Sequence, residues 1–203
     1  MKTSVVIIFF IISVIQTSYA EKLILRLESA YKNIEDIYGS FTQTNYIRDL
    51  DKTQKFIGNF YIKPNKLKWE YTGDFQQTIY LEEDLLIVYD KSKKQAIESK
   101  FKQETYGQLP VALLSKMSNL SRDFSIKESL PDKLILIPKS KMGNIKLIEI
   151  TLIDGDFPIK SLKIFDSYNN RIKIEFRDVK INTGLDNSIF KFTPKKDDIL
   201  LKY

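Results

Sequence analysis

The 203-residue chain contains no cysteine and no histidine. Those two absences remove the Ser-His-Asp and Cys-His nucleophile pairs, the histidine proton shuttle and the Cys/His zinc site. No disulfide can form, but a domain of this length has enough interior to be stable without one. There is also no linker, tandem repeat or low-complexity segment. What remains for function is carboxylates, lysines, hydroxyls and apolar surface.

Catalytic motifs are equally scarce. Ser-x-x-Lys occurs at Ser29/Lys32, Ser99/Lys102 and Ser188/Lys191, as expected by chance in a lysine-rich chain. The accompanying Ser-Asp-Asn and Lys-Thr-Gly elements are missing, and so is Gly-x-Ser-x-Gly. Acidic runs at Glu82-Glu83-Asp84, Asp154-Gly155-Asp156 and Asp197-Asp198 lack the alternating ligand register of a calcium loop and read as solvated turns. No catalytic residue, no metal site and no cofactor are therefore expected.

Residues 1–20 differ from everything that follows. Lys2 gives a positive start, Val5 to Ile15 is apolar except for Ser13, and Ser18-Tyr19-Ala20 places small residues at −3 and −1 of a cleavage site. The apolar run is too short for the roughly twenty residues of a membrane span, so it reads as a cleaved export signal. Residue 21 is Glu rather than Cys, so the signal is not of the lipoprotein type. Residues 21–203 are expected to form one free, monomeric domain. The net charge of +6 suits lysine-rich solvated faces or weak attraction to anionic membrane surfaces. Nucleic acid is not an expected partner of an exported chain.

After the signal, Leu23, Leu27, Ala30, Tyr31, Ile34 and Ile37/Tyr38 recur at helical spacing, which predicts one amphipathic helix stopped at Gly39. From Ser40 the period becomes two. Strands are predicted in sequence through Phe56 to Lys63, Leu67 to Tyr71, Phe75 to Leu81, Leu85 to Tyr89 and Gln95 to Ile97. They resume at Phe124, Leu134, Ile145, Ile159, Arg171 and Phe190 to Phe192. About ten closely spaced strands imply a large antiparallel sheet, either a sandwich or a strongly curved partial barrel.

One segment interrupts this pattern. Pro110 suits the first turn of a helix, and Val111, Leu113, Leu114 and Met117 form most of an apolar face. Such a face is either ordinary core packing or a lid whose apolar side exchanges a protein contact for a ligand.

The order of motifs carries further information. Ser40-Phe41-Thr42-Gln43 follows the amphipathic helix, and Gly58-Asn59-Phe60-Tyr61-Ile62-Lys63-Pro64 leads to Leu67-Lys68-Trp69. The strand end Val88-Tyr89-Asp90, the Pro110-x-x-Leu113-Leu114 helix and Phe190-Lys191-Phe192-Thr193-Pro194 then follow in order. This succession resembles the periplasmic lipoprotein carrier family LolA over nearly all of the chain after the signal. The resemblance implies a mainly β (α+β) fold: a strongly curved, incomplete antiparallel barrel. Its N-terminal helix and short lid helices near residues 107–120 would cover a concave apolar face.

The same resemblance implies a non-catalytic carrier in the periplasm. It would accept lipoprotein acyl chains from an inner-membrane ABC-type releasing complex and deliver them toward the outer membrane, where a receptor lipoprotein is a further candidate partner. The acyl-chain cavity would be lined by Phe41, Phe60, Ile62, Trp69, Tyr71, Leu86 and Val88, with Leu67 at its mouth and Pro110, Val111, Leu113, Leu114 and Met117 on the lid. Lys63 stands where the family has an arginine that latches the lid; lysine keeps the charge without the planar fork of donors. Glu82-Glu83 replaces an Asp-Gly turn, and Ile87 stands at a tryptophan position. Two alternatives share the scaffold: a carrier of another lipid or glycolipid, and a lipid-sensing regulator of the envelope stress response.

Overall fold

Twelve stretches of alternating or continuous apolar sequence become strands because each buries one face against a shared core while its backbone groups pair with neighbours. The computed structural model describes residues 21–102 and 110–203. The segment expected to be an export signal, 1–20, and the start of the expected lid, 107–109, lie outside the described residues. Helix α1 occupies residues 21–32. It is followed by β1 (Ile37–Ile47), β2 (Lys52–Lys63), β3 (Lys66–Thr72), β4 (Gln77–Glu82), β5 (Leu85–Asp90) and β6 (Gln95–Lys100). A 3-10 segment (Pro110–Asn119) and a one-turn helix α2 (Leu120–Asp123) cross to the second half. That half holds β7 (Phe124–Leu130), β8 (Lys133–Pro138), β9 (Ile145–Leu152), β10 (Ile159–Asp166) and β11 (Arg171–Ile181), and the chain ends in β12 (Ile199–Lys202).

All twelve strands belong to one sheet in the order β12-β6-β5-β4-β3-β2-β1-β11-β10-β9-β8-β7. It is curved and unclosed, with β12 and β7 as its edges. The sheet thus consists of two meanders, β1 to β6 and β7 to β11, joined where β1 pairs antiparallel with β11 from Ile37↔Ile181 to Tyr46↔Arg171. Inward residues of both meanders merge into a single cluster with α1 and the lid: Leu67, Trp69 and Leu81 from one half, and Leu134, Ile150 and Leu162 from the other, are among its fully buried members. This single curved sheet decides between the two architectures that strand spacing left open.

Two local expectations are corrected. Helix α1 ends at residue 32 rather than near Tyr38, and the segment from Ile37 is strand, because β1 is paired on both sides and its ladders outweigh helical periodicity. Phe190 to Phe192 is not a strand: Asn187–Phe190 is a 3-10 turn, with the Asp186 side chain accepting from the Ser188 N–H as its cap. The last strand is instead β12, and it pairs parallel with β6 (Ile199↔Gln95). The intervening chain crosses the outer face of the sheet, as a parallel connection requires. There Phe192 meets Tyr80 and Tyr89 at 5.7 and 5.0 Å between ring centroids, beside buried Ile87 and Ala96. Finally, the β4–β5 hairpin keeps a tight turn without the family's glycine, since Glu83 itself takes the left-handed conformation (φ 56°).

One glycine is demanded by close approach. Gly58 on β2 lies opposite Phe41 of β1 and Tyr71 of β3. A Cβ there would sit 2.0 Å from the Glu70 carbonyl oxygen and 2.7 Å from the Phe41 ring.

Candidate functional site

The concave face begins with an aromatic wall. Alternation on β1, β2 and β3 places Phe41, Phe60 and Trp69 on the same side. Phe41 stacks on Trp69 with centroids 3.8 Å apart, and Phe60 lies 5.7 Å from Trp69 and 5.3 Å from Phe176. Tyr71 meets Phe41 edge-on at 5.5 Å, and its hydroxyl donates to Gln43 Oε1 at 3.1 Å. The wall therefore turns polar at that end. Ile62, Leu67 and Leu86 continue the buried surface, with Val88 partly buried against it. Leu67, expected at a cavity mouth, is fully buried, paired with Ile62 and Leu81 on the flanking strands.

Opposite this wall lie α1 and the lid. A 3-10 helix has three residues per turn, so positions three apart fall in line. Leu114, Met117 and Leu120 follow that spacing and are all buried, together with Ala112 and Leu113. Ser115 Oγ donates back to the Ala112 carbonyl at 2.8 Å. For Pro110 and Val111 the backbone opens the 3-10 segment, but their side chains lie outside the described residues. From α1, Leu23, Ile24, Leu27 and Tyr31 enter the same cluster, followed by Ile34 just beyond its end. The sequence-derived cavity residues are thus brought together, and in this state they are packed against one another.

Polar contacts fix the cover. Glu28, buried on α1, accepts from the Ser121 N–H at 2.6 Å, which joins the helix directly to the start of α2. Lys63, expected to bond the lid, is half-buried at the end of β2. Among the described residues its ammonium donates no hydrogen bond to the lid. Hydrogen bonds from Ser188, with a contribution from Lys63, hold the Asp186 carboxyl below its ordinary value. The contact observed between helix and lid is made by Glu28, a residue that no sequence motif singled out.

A second buried carboxylate organises the loop after β11. Asp36 Oδ1 accepts from the Thr183 N–H and hydroxyl at 2.9 and 2.8 Å, and Oδ2 from the Gly184 and Leu185 N–H groups at 2.8 and 3.0 Å. Burial pushes this carboxyl up, but the four bonds outweigh it and hold the group below the usual carboxylate range. No sequence signal marked Asp36, because its partners are about 147 residues away.

Between α1, the end of β2 and the lid remains a cavity of about 50 Å³, lined by Tyr31, Ile34, Ile37 and Ile62 and by Leu114 and Met117, with Lys63, Glu35 and Ser115 among its polar neighbours. Small-molecule pockets occupy roughly 300–1,000 Å³. A long hydrocarbon chain enters this face only if the lid, α1 or both move away from the sheet.

A model of the family described as outer membrane lipoprotein carrier protein LolA matches residues 32–193. The chain belongs to the LolA family. An outer-membrane lipoprotein carrier protein of Neisseria meningitidis serogroup C is 32% identical over 175 residues, which is 84% of this chain and 82% of that protein. Another, from Dechloromonas aromatica, is 26% identical with 83% and 82% covered. In fold, the chain is similar to a LolA-superfamily protein from Nitrosomonas europaea, with a TM-score of 0.51 over 84% of this chain and 97% of that one at 13% identity. A conserved protein from Thermus thermophilus gives a TM-score of 0.56 over 91% and 99%, also at 13% identity. Within the LolA match lie the aromatic wall, the lid and Asp36, whereas Glu28 precedes it.

Proposed function

We propose that this LolA-family chain is a periplasmic carrier that shields lipoprotein acyl chains between the inner and outer membranes. What supports the reading, beside the family match, is a continuous apolar concave face whose cover is not part of the sheet. The cover contacts the wall through side chains. Displacing it breaks no ladder bond, and an acyl chain replaces apolar contact with apolar contact. Burying an acyl chain contributes about 0.8 kcal/mol per CH₂, on the order of 12 kcal/mol for sixteen carbons. Part of that gain is spent on removing the lid, which keeps the complex releasable.

On this reading residues 1–20 are the export signal, and residues 21–203 act as one unit without catalysis. An inner-membrane ABC-type complex supplies the energy for loading, and an outer-membrane receptor lipoprotein takes the cargo. The test is release from spheroplasts carrying labelled lipoprotein. A soluble one-to-one complex of carrier and lipoprotein is the expected product. No release, with only free lipid co-purifying, would reassign the cargo; no release and no lipid would end the carrier reading.

Opening is expected to depend on Glu28. Glu28→Ala removes the acceptor for the Ser121 N–H and should lower stability by about 1–3 kcal/mol. Stopped-flow uptake of a fluorescent fatty acid should accelerate in the same variant. Uptake at the unaltered rate would take Glu28 out of the control of the lid.

A further inference from the structure

The apolar cover contains a hydroxyl that no described residue satisfies. Tyr31 is 8% exposed, and its hydroxyl oxygen is sealed from solvent with no hydrogen-bond partner among the described residues. Leaving a buried polar group unpaired is costly, and most such groups in native proteins have partners. Phenylalanine would fill the same space against Phe157, whose ring lies 6.1 Å away, without that cost. Tyr31 also lines the small cavity between α1, β2 and the lid, beside the apolar Ile34, Ile37, Leu114 and Met117; Glu35, Asp36 and Ser115 line it too, but none of them accepts from the phenol. Burial pushes the phenol well above the ordinary tyrosine range, so the group is a hydrogen-bond donor throughout the physiological pH range.

We propose that the Tyr31 hydroxyl donates a hydrogen bond to an acyl ester carbonyl, making the cavity beside it the subsite that seats the head of an ester-linked chain. The inference rests on the carrier reading and names which part of the cargo is recognised. A hydrocarbon tail has no acceptor, so it fills the aromatic wall without regard to register. A carbonyl fixes how far the chain is drawn in, because only at one depth does it meet the phenol. Lys63, at the polar side of the same cavity, then faces whatever polar portion follows the ester. Burial of the phenol strengthens the bond, since its hydroxyl is sealed from solvent.

The experiment compares two lipids delivered from cyclodextrin to the purified exported chain: dihexadecanoylglycerol, with two ester carbonyls, and dihexadecylglycerol, its ether-linked counterpart without them. Trp69 is the only tryptophan and lies in the wall, so its emission reports entry of either lipid. The unmodified protein should bind the ester roughly five- to tenfold more tightly than the ether, the worth of one neutral hydrogen bond. Tyr31→Phe should bind both with the affinity that the unmodified protein shows for the ether. Its thermal midpoint should be equal or higher, which separates lost recognition from lost folding. Equal binding of the two lipids by the unmodified protein, or an ester preference that survives in Tyr31→Phe, overturns the subsite and leaves the carrier reading in place. Failure of both lipids to bind brings down the two together.

Discussion

Asp36→Ala is expected to destabilise the protein by about 3–5 kcal/mol, more than the loss of an ordinary hydrogen bond, because it deprives several donors at once. Thr183, Gly184 and Leu185 would lose the acceptor for their N–H groups, and Thr183 also the one for its hydroxyl. The loop they form starts the connection from β11 across the outer face to β12, so the damage should spread to the β12–β6 edge. Urea denaturation measures the loss, and hydrogen exchange at β12 measures its reach. Protection of β12 equal to that in the unmodified chain would show that the loop is dispensable for the edge.

The same residue sets part of the acid response. Its folded value lies below the unfolded carboxylate value of about 3.9, so the unfolded chain binds the proton more tightly. The stabilising contribution is fully present above the unfolded value and is lost as the pH falls through the folded one. Asp36→Asn should therefore unfold at lower urea near neutrality, yet lose less of its remaining stability on acidification than the unmodified protein does. Parallel loss in the two proteins below about pH 4 would assign the acid response to other carboxylates.

Gly58→Ala carries the other large expectation. Overpacking a well-filled core costs about 1–3 kcal/mol. Here the added carbon meets the Glu70 carbonyl oxygen at 2.0 Å, a backbone atom that moves only if β2 and β3 separate. A loss at or above the top of that range is expected, together with a shift in Trp69 emission as the Phe41 ring leaves its stack. Two probes check it: Trp69 fluorescence and far-ultraviolet circular dichroism across a urea series. A stability within 1 kcal/mol of the unmodified protein would mean that the ladder at Gly58 yields far more readily than its geometry implies.

How much of this was legible in the sequence depends on the range of the interaction. Alternation is local, and Leu67-x-Trp69-x-Tyr71 or Ile148-x-Ile150 announces a half-buried strand without help from the rest of the chain. The succession from Phe41 through Trp69 to Leu114 also indicated a concave apolar face, and those residues do share one cluster. Where helix and strand compete, as at Ile37 and Tyr38, periodicity alone chose wrongly, because pairing with β2 on one side and with β11, well over a hundred residues away, on the other decides. Phe190 and Phe192 read as strand through their alternation. They are instead an anchored turn and an outer-face ring contact, and the parallel strand comes later, at Ile199. Glu28 and Asp36 escaped because a carboxylate looks solvated until the fold supplies its donors, and Tyr31, placed on the apolar face of the helix, gave no sign that the fold would withhold an acceptor from its hydroxyl.

The unjoined edges of the sheet bear on how the protein deforms. In a closed barrel, strand number and stagger fix the diameter, and widening it means breaking a ladder. Here β12 and β7 are separate ends, so the radius of curvature is free to increase by small changes of twist shared among all the strands, with every backbone hydrogen bond kept. The resistance to such a change comes from the side chains pressed between sheet, α1 and lid, which is the material an entering hydrocarbon would replace. On the carrier reading, the capacity of the interior would then be an elastic quantity set by the size of its contents, with its stiffness residing in the aromatic wall and its cover.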